Sequence, residues 1–187
     1  VIGFLTLPGT AFSQWDEMNP VPGAKMFFSS APFTTGHEGS KTSFTSADFI
    51  YGRLELNNQT LSDAFNMSSI KTGRYYLRYR VAAFKNGEQK GSYNLWDYLL
   101  IKQGIEKNTS FNFDIFPEPG KATSVICGSE IFNTGLAAGP LYHIISQETF
   151  PENGEYIIKA RLFLESYDAW DKKEELEKWP VADGEFN

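Results

Sequence analysis

The feature that most constrains this chain is an apolar alternation of period two, cut into short runs by turn dipeptides. Side chains repeating every second residue belong to a strand with one face buried, and a helix cannot use that pattern. Arg74 to Phe84 is the clearest run: Tyr75, Leu77, Tyr79 and Val81 share one face, while Arg74, Tyr76, Arg78 and Arg80 share the other. Asn86-Gly87 follows, and it suits a type I′ hairpin turn because both residues tolerate positive φ. Phe49–Leu56 sets Ile50, Gly52, Leu54 and Leu56 against Phe49, Tyr51, Arg53 and Glu55. Asn94–Lys102, then Phe111–Phe116 stopped by Pro117-Glu118-Pro119-Gly120, and finally Tyr156–Leu164 behind Asn153-Gly154 repeat the theme.

Between these runs the pattern weakens. Leu61–Ser69 lacks alternation and reads as a turn or short helix; Ser124–Phe132 reads as a strand, and Leu141–Gln147 as a strand or one or two helical turns behind Gly139-Pro140. Residues 14–41, rich in Pro, Gly, Ser and Thr around Met26-Phe27-Phe28, read as an extended arm with one short strand. At the other end, residues 165–187 are acidic. There Asp168 and Asp171 have capping-box spacing for a short helix from Trp170 to Lys178, stopped by Pro180. With no helix long enough for parallel crossovers, the expected fold is mainly β. It is an antiparallel, jelly-roll-like sandwich spanning residues 42–187, with an N-terminal arm and a short C-terminal helix.

Residues 1–13 carry no charge, are apolar from Val1 to Leu7, and place Ala11 and Ser13 at the −3 and −1 positions of a cleavage site before Gln14. They read as the remnant of a secretory signal peptide, the rival reading being a buried N-terminal strand. Export to a bacterial periplasm, surface or exterior is expected, with no segment long enough to span a membrane. Asn58, Asn66 and Asn108 stand in Asn-x-Ser/Thr triplets that a eukaryotic pathway would glycosylate. The single Cys127 lies behind Val125 and Ile126, and burial suits it better than pairing.

One Cys and two His exclude a disulfide scaffold, a multi-thiolate site and a His cluster. Cys127 with His143 lies in no nucleophile signature, and His37 sits in a Gly-rich stretch that suggests solvation. Asp97 and Asp114 interrupt apolar strands and are the carboxylates a hydrolase would use; a salt bridge to a neighbouring arginine is the simpler role. Asp168, Asp171 and Asp183 lack calcium-loop spacing. No catalytic residue, metal or cofactor is therefore assigned.

Three features point to binding instead. The 16 Phe, 9 Tyr and 4 Trp exceed what recognition requires, and packing between sheets absorbs most of them. Lys71, Arg74, Arg78, Arg80, Lys85 and Lys90 form a basic stretch opposed only by Glu88. A formal charge of −6 and the lack of any nucleic-acid motif make the acidic tail, or a second copy, its expected partner. Trp96 and Tyr98 lie two residues apart, about 6–7 Å along a strand, a spacing that suits a saccharide ring or a covering protein. The expected function is a non-enzymatic, protein-binding or structural subunit of an envelope or surface assembly, with a carbohydrate-binding module as the alternative. Tyr76, Arg78, Arg80, Trp96, Tyr98, Trp170 and Trp179 are its candidate contacts.

Overall fold

The structure is a computed structural model that describes residues 19–65, 74–94, 99–100, 105–121, 139–146, 153–167 and 178–187. Its elements, in chain order, are β1 (Lys25–Ser29), β2 (Ile50–Glu55), α1 (Leu61–Phe65), β3 (Arg74–Lys85), β4 (Glu88–Asn94), β5 (Leu99–Leu100), β6 (Ser110–Phe116), α2 (Pro140–Ser146), β7 (Ile157–Tyr167) and β8 (Lys178–Phe186). One antiparallel sheet has the order β1-β2-β6. The other has the order β4-β3-β7-β8, with β5 resuming the pairing with β3 beyond β4. The protein is mostly β and sandwich-like, as the alternation predicts.

The inward rows are the ones the period of two selects. Leu54, Phe111, Phe113 and Ile115 of the first sheet meet Leu77, Val81, Ala160, Leu162 and Leu164 of the second in one buried cluster. Each of these side chains other than Ala160 contributes about 1.5–3 kcal/mol on leaving water. Phe28 bridges the sheets, its ring edge-on to Phe113 at 6.2 Å and tilted against Phe186 at 4.7 Å. Close approach there requires Gly184, where a Cβ would stand 2.7 Å from Met26 Cβ.

Local chemistry explains the boundaries. Asn86 (φ 55°) and Gly87 (φ 80°) form the two-residue turn between β3 and β4, with Lys85 opposite Glu88. The ambiguity at Leu141–Gln147 resolves to helix: Pro140 begins α2, where its missing N–H costs nothing. Leu141 and Ile144 then face the core, while Tyr142 and Ile145 stay exposed. At α1, Thr60 Oγ1 accepts the Asp63 N–H at 3.0 Å and Thr60 donates its hydroxyl to Asp63 at 2.7 Å, a reciprocal cap.

The segment from residue 178 onward differs from expectation. Lys178, placed at the end of a helix, instead opens strand β8, and Pro180 does not stop a helix but lies inside that strand. Pro180 is tolerated because β8 is the last strand of its sheet and the register shifts there, between Leu162 and Phe163. Residues 168–177, which carry the rest of the expected helix, lie outside the described residues. The N-terminal arm supplies β1 and then turns back, so that Lys41 N–H bonds Phe28 C=O at 2.7 Å. The arm and β8 are stitched together where Val21 N–H donates to Val181 C=O at 3.1 Å. Phe44 N–H donates to Asn187 C=O at 2.6 Å, and Asn187 N–H donates to Thr42 C=O at 2.9 Å. Helix α2 packs against β3, β4 and β6.

Candidate functional site

A cleft of about 640 Å³ opens between the two sheets at one end of the molecule. That size lies within the range of ligand pockets. Its floor is Ile50, Leu141, Ile158 and Phe186; Phe44, Ile145 and Tyr156 form its walls, and Ser43, Thr45, Ser46, Asn153, Glu155 and Asn187 its rim.

Each wall is held by local bonds. Asp48 fixes the 41–48 loop by accepting the Thr45 N–H at 2.8 Å and the Thr45 hydroxyl at 3.0 Å, while Lys41 Nζ lies 3.2 Å from its other oxygen. These bonds, the Thr45 N–H foremost, hold the Asp48 carboxyl below its ordinary value. The loop thereby holds Phe44 edge-on to Phe186 at 5.1 Å, with Lys41 Nζ 4.6 Å from the Phe44 ring centre. Across the cleft, Lys85 Nζ donates to Asn153 C=O at 3.2 Å and lies 5.4 Å from the Tyr156 ring centre. The third wall is α2, seated by Gly139, where a Cβ would collide with the Ile115 carbonyl.

Among the described residues, the walls of the cleft are aliphatic and aromatic, its rim is hydroxyl and amide, and its ionisable side chains are Glu155 and Tyr156. Both aromatic walls carry a lysine ammonium against the ring. The large apolar side chains left exposed among the described residues are Tyr142, Ile145 and Ile157, at 46%, 47% and 47%. Tyr142 and Ile145 belong to α2, where Ile145 lines the cleft, whereas Ile157 neighbours core-facing Ile158 on β7 and so faces the outer side of its sheet.

The residues singled out in the sequence fall elsewhere. Tyr76, Arg78 and Arg80 occupy alternate positions of β3, opposite Glu165, Phe163 and Arg161 of β7. Trp179 lies on β8 opposite Leu164, which itself pairs with Leu77, so the register sets it in a different row from Tyr76, Arg78 and Arg80. Trp96, Tyr98 and Trp170 lie outside the described residues, as do Asp97, Cys127, Asp168 and Asp171. Asp183 of the acidic tail grips Arg161 in a bidentate pair, at 2.5 Å from Nε and 2.6 Å from Nη2. Asp114 is wholly buried on β6 opposite Tyr51, away from the water a hydrolase needs. The Tyr51 hydroxyl accepts the Glu118 N–H at 3.0 Å, and burial, with the Asp114 charge, keeps that phenol above its ordinary value.

His37, expected to be solvated, is half exposed yet anchored. Its ring stacks on Phe27 at 4.2 Å and 9°, and its Nδ1 lies 3.3 Å from both Glu55 oxygens. Among the described residues, no group of three or more His, Cys, Asp or Glu could hold a metal ion, and no helix is long and apolar enough to cross a membrane.

Fold and cleft define a two-sheet β domain with an open apolar end. The chain matches no protein-family model, and neither a curated protein nor a solved structure matches it.

Proposed function

We propose that this chain is an exported, non-enzymatic β-sandwich of the bacterial envelope or surface, acting as a protein-binding or structural subunit of a larger assembly. It meets its partner at the end cleft and the outward side of α2. The observation that carries this reading is Ile145, an exposed apolar side chain that lines the apolar cleft, with exposed Tyr142 near it on α2. Exposed apolar surface continuous with a groove is the kind of surface that partners cover. Tyr142 and Ile145 are three residues apart on one helix face, the spacing at which two anchors act together. The leader-like residues 1–13 support export.

The test is site-specific photocrosslinking in cells that make the protein. The crosslinker is placed at 142 or 145, with Lys107, in the turn before β6 at the opposite end of the first sheet, as control. Discrete adducts at 142 and 145, absent at 107, are expected, either to a second copy or to another protein. A protein that stays monomeric at high concentration and forms no adduct, yet shifts its Trp fluorescence with oligosaccharides, would instead be the carbohydrate-binding alternative.

A further inference from the structure

We propose that residues 30–41 form a strap across the outer face of the β1-β2-β6 sheet, held by a latch at His37 that loosens as the imidazole loses its proton. The register puts Phe27, Arg53 and Asn112 side by side across the three strands, with Lys25, Glu55 and Ser110 in the next corresponding row. Phe28, Leu54 and Phe111 face the core, so these two rows form the outer face. The strap meets them at two points. Asn112 Nδ2 donates to Phe33 C=O at 3.0 Å, and His37 lies flat on Phe27 with Nδ1 against Glu55. Gly36 and Gly39 flank the histidine at φ 53° and 78°, conformations that let the loop present its ring to the sheet.

The charges facing His37 make the sign of the effect definite. Glu55 and Arg53 come from β2, Lys25 from β1 and Glu38 from the strap itself, whereas β6 contributes only the neutral Ser110 and Asn112. Arg53 Nε holds Glu55 at 3.0 Å, and its two Nη atoms reach Asn112 at 3.1 Å and Ser110 at 2.8 Å, so the carboxylate stays in place when the histidine changes. Burial pushes the Glu55 carboxyl up, but hydrogen bonds from Arg53 and His37 outweigh it and keep the group ionised. Of the side-chain types in this cluster, imidazole is the one whose charge changes across the neutral pH range, while carboxylate, ammonium and guanidinium keep theirs. The imidazolium makes a charge-assisted contact with Glu55; the neutral ring keeps only the weaker one.

Hydrogen exchange reads the latch directly, through the Ser40 amide bonded to His37 C=O at 3.2 Å and the Lys41 amide bonded to Phe28 C=O at 2.7 Å. After correction for intrinsic rates, protection at both should fall about threefold from pH 5.5 to 8, the scale of an exposed ion pair. His37→Gln and Glu55→Gln should each flatten that profile, with Leu54 and Val81 amides reporting an intact core. A flat wild-type profile, or a slope that survives His37→Gln, overturns the proposal.

Discussion

Gly52 of β2 lies directly beneath the ring of Phe113 on β6: a Cβ at position 52 would stand 2.3 Å from a ring carbon. The absent side chain is thus what makes room for the Phe113 ring over β2 within the core. Gly52→Ala should destabilise the protein by about 2–3 kcal/mol in urea unfolding. Combining it with Phe113→Leu should cost less than the two changes summed, because they share one space. Strict additivity would show that the ring is not what limits position 52.

Arg161 is 5% exposed, and Arg80 stands opposite it on β3 while Asp183 stands opposite on β8. Removing the acid leaves a buried guanidinium in a row with a second arginine. Asp183→Ala should cost about 1–3 kcal/mol, at the lower part of the range for a buried pair because Asp183 is 40% exposed. Arg161→Met with Asp183→Leu should recover at least half of that loss. Equal melting temperatures for wild type and Asp183→Ala would mean that the pair contributes nothing net.

Acid should loosen the loop that carries Phe44. The Asp48 carboxyl is held below its ordinary 3.8 by the Thr45 N–H, the Thr45 hydroxyl and Lys41. The stability it contributes is therefore complete above that ordinary value and is lost as pH falls through the lowered one. Urea midpoints of wild type and Asp48→Asn should differ by a constant amount from about pH 7 to 5 and converge below about pH 4. A difference that persists to the acid end would assign the loop's order to something other than the carboxylate.

Ile145→Asp places a charge on the exposed side of α2 without touching Leu141 or Ile144. Stability should change by no more than about 0.5 kcal/mol. Crosslinking from position 142, by contrast, should disappear. Retained crosslinking would remove Ile145 from the contact surface.

Period-two runs announced β2, β3, β6 and β7 because one face of each is buried, and Asn86-Gly87 announced its hairpin through its backbone preferences. β8 escaped notice for a physical reason: Val181 and Ala182, adjacent in sequence, are both buried at a bulge, which erases the alternation. Pro180 there resembled a helix stop. The cleft was hidden for a different reason. Phe44, Ile145, Tyr156 and Phe186 come from four separate segments and share no spacing, so only the packing of the two sheets brings them together. The anchoring of His37 was equally invisible, since its partners Phe27 and Glu55 lie on different strands.

The seam between the arm and β8 also sets the order in which this molecule can form. Val21 must find Val181, and Thr42 and Phe44 must find Asn187, across nearly the whole length of the chain. Contacts so remote in sequence make folding slow, since the entropy of closing such a loop is spent before the seam returns any energy. Until residues 178–187 have been made, the sheet that covers Met26 and Phe28 lacks its last strand. The nascent chain should consequently remain open for longer than a protein built from local contacts.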